Sequence, residues 1–230
     1  MTGSVAGPRW VDVPPERLVQ WVGTFAAQHG QAVTERGPEV VVLRASDGAV
    51  AACHPPFPPL PQLGGDEPDP AGRADPICQA ELIAAHAAAD RTVGVLLVRL
   101  GGHAVGVFTG NPPRLAASKT GSRLVHGRAA AGGRSQRRFA RRRENQAAAA
   151  LQAAAGTALA ILGPYTGRLD AVVLGGDRRA MASVRADPRL APFMARAVER
   201  FLTVPDPRLA VLKDTPRLFR AIQIRLTEPS

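Results

Sequence analysis

The sequence predicts an α/β protein in which a mixed sheet carries packed helices. Three observations predict it. Strand-like segments come as hairpins early in the chain and alternate with helical segments later. Residues 169–174 form an apolar run interrupted only by Asp170, the pattern of a strand buried on both faces. Ile222, Ile224 and Leu226 alternate with Gln223 and Arg225, the period-two pattern of a half-buried strand. Hydrophobic residues make up 45% of the 230 and charged ones 21%, which suits a chain with a packed core.

The elements follow in order. Residues 16–29 read as an amphipathic helix with Leu18, Val19, Val22 and Phe25 on one face, preceded by Pro14 and Pro15. Residues 39–43 and 49–53 form a hairpin around Ala45-Ser46-Asp47-Gly48. Residues 54–76 hold eight prolines and read as a linker or irregular surface loop. Residues 77–90 form a helix. Residues 93–99 and 103–108 form a second hairpin around Gly101-Gly102. Residues 115–117 and 123–126 add short strands, and 127–135 is a glycine- and alanine-rich loop. A long helix covers about 136–162. Asp177 caps the helix after the 169–174 strand, Gly175-Gly176 reads as a turn, and residues 192–200 give one more helix. We find no internal repeat. The expected division is an N-terminal helix–hairpin region, residues 1–76, and a larger domain, residues 77–230, the two together able to form one continuous domain.

Composition excludes several classes. A mean hydropathy of -0.05 is far too low for a polytopic membrane protein. The N-terminal residues show no apolar core of a secretory signal, so the expected compartment is the cytoplasm. Cys53 and Cys78 form no CxxC pair, against a zinc ribbon or a disulfide scaffold. The five histidines show no metal-ligand spacing, and neither a P-loop nor a dinucleotide fingerprint occurs. No metal or other cofactor is expected.

The net charge of +10 is segregated. Residues 114–143 carry Arg114, Lys119, Arg123, Arg128, Arg134, Arg137, Arg138, Arg141, Arg142 and Arg143, and no acid. The remaining 200 residues balance at 19 of each sign. Only two lysines occur, and a GC-rich genome accounts for arginine over lysine, but not for the clustering. Arginine forks bind phosphate through paired hydrogen bonds and stack on bases, so RNA is the expected partner and a solvated basic tail the alternative.

Within the window, Arg137, Arg138, Arg141 and Arg142 fall in a helical stripe of about 140°. Phe139 points to the far side. Cations here oppose the helix dipole, at roughly 0.3–1 kcal/mol each. Acids would serve the fold better, whereas a helix N-terminus beside arginines suits an anion. Gly132-Gly133 gives the preceding loop backbone freedom and leaves no Cβ in the way. It sets Ser135 and Gln136 beside the arginines. Glutamine is no general base at neutral pH, but it can orient a water, and its backbone N–H can stabilise an oxyanion. From the pattern alone, a flexible surface loop with an N-cap serine stands equal to a catalytic loop. The segment lacks the final glycine of a nucleophile elbow.

Gly132-Gly133-Arg134-Ser135-Gln136, followed by Arg138-Phe139-Ala140-Arg141-Arg142-Arg143, resembles the Gly-Gly-Gln loop and following helix of eukaryotic and archaeal class-I release factors. Val172-Val173-Leu174-Gly175-Gly176 is similar to the strand and glycine turn of their middle domain. Arg134 stands where those factors have glutamine, and the glutamine comes two residues later. A Gly-Ser-Gln form of the loop belongs to the Vms/ANKZF-type branch, which has bacterial relatives, and the resemblance is greatest there. It covers residues 119–176.

The resemblance implies a ribonuclease-H-like fold and a peptidyl-tRNA hydrolase that frees nascent chains from stalled large ribosomal subunits. It implies that Gly132, Gly133, Ser135 and Gln136 form the catalytic loop at the CCA end of peptidyl-tRNA. Lys119, Arg123, Arg128, Arg134, Arg137, Arg138, Arg141 and Arg142 would hold tRNA or ribosomal RNA. The partners implied are the large subunit and peptidyl-tRNA, with no membrane and no DNA, for a protein acting as a monomer. Two alternatives stay open: a nuclease acting at the tRNA 3′ end, and a non-catalytic RNA- or ribosome-binding protein.

Overall fold

A computed structural model describes residues 7–61, 75–122 and 135–229, and for 135–143 the backbone alone. The chain divides into two units, residues 1–89 with 217–230, and residues 90–216.

The first unit builds a five-stranded antiparallel sheet from β1 (Arg9–Val13), β2 (Ala32–Arg36), β3 (Val41–Ala45), β4 (Val50–His54) and β10 (Ile222–Thr227), in the order β1-β10-β4-β3-β2. Helices α1 (Leu18–His29) and α2 (Pro76–Ala88) cover one of its faces. Leu18, Val22 and Phe25 of α1 are buried there beside Leu43, Cys53 and Ile224. Each such side chain contributes about 1.5–3 kcal/mol. Asp75 caps α2 by accepting the Cys78 N–H at 2.9 Å. In the β3–β4 turn, Asp47 accepts the Ala49 N–H at 2.9 Å and Gly48 takes a φ of 96°. The final strand alternates as its sequence predicts, and it pairs between β1 and β4.

The second unit holds β5 (Val93–Arg99), β6 (Gly102–Thr109), β7 (Arg114–Ser122), α3 (Ser135–Leu162), β8 (Ala171–Gly176), α4 (Arg178–Arg185), α5 (Ala191–Met194), β9 (Ala197–Leu202) and α6 (Leu209–Lys213). Helix α7 (Thr215–Phe219) spans the division. The sheet order is β7-β6-β5-β8-β9. β6 runs antiparallel to β5 and β7, while β8 runs parallel to β5 and β9. This order with a reversed second strand is the ribonuclease-H-like mixed sheet that the release-factor resemblance implies. Ala154, Ala155, Ala158 and Leu162 of α3 pack against Leu96, Val105 and Val172. Their small side chains let the helix approach the sheet closely. By length and composition alone, Glu144–Tyr165, which runs from within α3 into the short 3-10 turn after it, is long and apolar enough to cross a membrane. In this fold the same stretch supplies those packed alanines.

Three local expectations are corrected. Residues 192–200 are not one helix: α5 ends at Met194, and Ala197–Leu202 pairs with β8 as a strand. Residues 115–117 lie near the start of a nine-residue strand. Gly175 and Gly176 close β8 rather than forming a turn. A Cβ on Gly176 would overlap the Val98 carbonyl, and its φ is 105°. The strand expected at 123–126 lies outside the described residues. Asp177 caps α4 as expected, accepting the Ala180 N–H at 2.7 Å.

Candidate functional site

β7 ends at Ser122 and α3 begins at Ser135. The twelve residues between them contain Arg123, Arg128, Gly132, Gly133 and Arg134, all outside the described residues. Ser135 opens α3, and Gln136, Arg137, Arg138, Arg141 and Arg142 follow in its first turns, so the helix boundary falls one residue before the expected one. No acid occupies the first turn. The nearest acid along the helix is Glu144.

The body of α3 is held far from this start. Ala150 lines a cleft between α3 and the sheet, and about 22 Å of helix lies between it and Ser135 at 1.5 Å per residue. The basic turns therefore form the arm of α3 that precedes its cleft-lining residues. The arm is long because its sequence is made of helix formers, Ala, Arg, Gln and Leu, without proline.

The cleft has a volume of about 200 Å³. Val98, Ala150 and Ala153 give it an apolar floor, and Arg99, Lys119 and Ser122 line it as well. His103 of β6 is 8% exposed and faces both α3 and β7. Its Nε2 lies 3.0 Å from Thr157 Oγ1 on α3. Its ring covers Gly121 of β7, where no Cβ would fit. Burial, and after it the charge of Lys119, hold the His103 imidazole below its ordinary range, so it is neutral at pH 7. Lys119 itself is exposed on β7, a strand with no acidic residue. Arg99 donates through Nη1 to the Val204 carbonyl at 3.0 Å, and its Nε lies 3.9 Å from Asp206 Oδ1.

The fold thus joins Lys119 to a group that the sequence does not mark: His103, Gly121 and Thr157. These come from three elements, and His103 stands 54 residues from its partner. No spacing rule finds them. Among the described residues no cluster of three His, Cys, Asp or Glu side chains could hold a metal. Cys53 is buried in β4, its thiol pushed up to about 12 by burial alone. His29 and His86 pair with the Asp47 carboxylate at 2.9 Å and the Phe57 carbonyl at 2.6 Å.

The profile of the family described as Actinobacteria/chloroflexi VLRF1 release factor matches residues 91–225. The chain belongs to this family. The match takes in β7, the loop, α3 and the cleft, and it ties the protein to translation. No curated protein matches the sequence. Among solved structures, an archaeal translation termination factor, aRF1, is 14% identical over 94% of this chain and 68% of its own, with a TM-score of 0.41. A Vms1 mitochondrial localization core is 12% identical over 89% of this chain and 80% of its own, with a TM-score of 0.35. A structure described only as an archaeal protein is 15% identical over 92% of this chain and 65% of its own, with a TM-score of 0.38.

Proposed function

We propose that this protein is a ribosome-dependent peptidyl-tRNA hydrolase that releases nascent chains from stalled large ribosomal subunits. Membership of a release factor family, with Gly132-Gly133-Arg134-Ser135-Gln136 within the matched segment, carries the reading. The length of α3 supports it: a helix of 28 residues can reach into a confined space ahead of the sheet that packs against its later turns.

In this reading Gly132 and Gly133 let the loop approach the CCA end without side-chain collision. Gln136 orients a water against the ester carbonyl, or its backbone N–H stabilises the developing oxyanion. Ser135, the first residue of α3, precedes the glutamine directly. The arginines of the arm, with Lys119, Arg123, Arg128 and Arg134, hold tRNA and ribosomal RNA phosphates. Positioning supplies much of the rate, because a bound water attacks as an intramolecular nucleophile. The ester C–O bond breaks, the water's oxygen joins the peptide carboxyl, and a proton goes to the tRNA's terminal ribose oxygen. The protein acts in the cytoplasm as a monomer.

Stalled large subunits carrying a labelled nascent chain on tRNA test this. Wild-type protein releases the chain and leaves the tRNA at full length, and Gln136→Ala binds but does not release. A shortened tRNA makes the protein a nuclease. Binding without release by wild type makes it a non-catalytic ribosome-binding protein. Either result overturns the proposal.

A further inference from the structure

Within the first unit, helices cover one side of the sheet. Val13, Leu43, Cys53, Ile222 and Ile224 face α1 and α2, and the residues alternating with them face the other way. On that second face Trp10 pairs with Arg225 across β1 and β10, and Arg225 pairs with Ala52 of β4. Trp10 is 59% exposed, an unusual state for the largest apolar side chain. Its ring lies 5.3 Å from the His54 ring, at 45°. Since β10 separates β1 from β4, the indole reaches across β10 to the His54 ring of β4. A rigid, solvent-facing aromatic surface results.

This face carries charges of both signs. Arg44 is paired with Glu35 at 2.9 Å, and Asp12 accepts from Gln223 at 3.1 Å. Arg225, beside Trp10, has no ion pair among the described residues. Burial, and after it the charge of Arg225, hold the His54 imidazole down, so at neutral pH it is an uncharged ring rather than a second cation. The face therefore offers one stacking surface, one neutral ring behind it and one guanidinium without an ion pair.

We infer that Trp10, His54 and Arg225 form a binding site for a nucleotide of single-stranded RNA. The base stacks on the indole, and Arg225 meets the adjoining phosphate. Every base has a face to stack, so the site reads strandedness rather than sequence. Single strands suit it because a duplex hides its base faces. RNA is favoured over a peptide because the group beside the indole is an exposed guanidinium without an ion pair, whose planar fork matches a phosphate, in a chain that belongs to a release factor family. The site lies in the first unit and does not rest on the proposed hydrolysis.

The arginine-rich arm also attracts RNA, so the test reads the indole itself. Trp21→Phe leaves Trp10 as the sole tryptophan of the full-length chain. A single-stranded uridine octamer quenches its emission, and an RNA duplex at equal phosphate concentration does not. On the same background, Trp10→Ala weakens binding of the labelled octamer about tenfold, and Trp10→Phe, which still stacks, restores most of it. Arg225→Gln weakens the quenching without changing the unliganded emission. The inference is overturned if labelled octamer binds while Trp10 emission stays constant, or if Trp10→Ala binds as tightly as its parent. It is equally overturned if an acidic peptide, and not RNA, changes the emission.

Discussion

Gly121 of β7 leaves the space that the His103 ring fills: a Cβ there would stand 2.5 Å from the ring's Cε1. The same ring reaches Thr157 of α3. One imidazole thus touches the end of the strand before the loop and the helix after it. Gly121→Ala pushes His103 and is expected to cost about 1–3 kcal/mol in urea unfolding. His103→Ala removes the obstacle, so the double variant is less destabilised than the sum of the two. Strict additivity would show that the ring and Gly121 do not share this space.

The same imidazole gives stability a pH dependence. Burial first, then Lys119, hold His103 below its ordinary 6.5, and burial with Arg225 does so for His54. Near 6.5 the unfolded chain takes up protons that the folded chain refuses. Stability therefore falls as pH drops through that value, and is fully present above it. Unfolding at pH 7.5 and pH 5.5 reads this. His103→Gln retains a hydrogen-bonding partner for Thr157 and flattens the decline. An equal decline in the variant would assign it to other groups.

The arginine stripe is expected to act through charge. Replacing Arg137, Arg138, Arg141 and Arg142 by Gln keeps good helix formers in place. Binding of a tRNA acceptor arm weakens, and the slope of log affinity against log salt shrinks by roughly 0.7–0.9 for each phosphate no longer neutralised. Anisotropy at a series of salt concentrations measures it. An unchanged slope would place the phosphate-binding groups elsewhere.

Elements with a strong apolar pattern are legible from the sequence. β5, β8 and β10 carry six or more residues of clear alternation or near-continuous burial, and α1 and α3 have a helical period or composition. β7 reads short because an exposed edge strand of Ser, Lys, Thr and Gly has no hydrophobic signature. β1 and β2 escape a sequence reading for a similar reason, being edge strands with one fully buried residue each, Val13 and Thr34. Ala197–Leu202 reads as helix because Ala, Arg and Glu favour helices locally. Parallel pairing with β8 overrides that preference, and a partner more than twenty residues away leaves no local trace.

The candidate site divides in the same way. The Gly-Gly-Arg-Ser-Gln run and the arginines are contiguous, so sequence shows them directly. His103, Gly121 and Thr157 meet only through the fold. The return of β10 to the first unit is equally silent, since its alternation marks a strand but names no partner.

The most direct test of hydrolysis follows the oxygen atom. Release is run in water enriched in oxygen-18, and the freed peptide and tRNA are weighed by mass spectrometry. Attack by water on the ester predicts one heavy oxygen in the peptide's terminal carboxyl and a full-length tRNA ending in an unlabelled ribose hydroxyl. A released peptide that still carries terminal nucleotides, with no heavy oxygen in its carboxyl, would contradict the account.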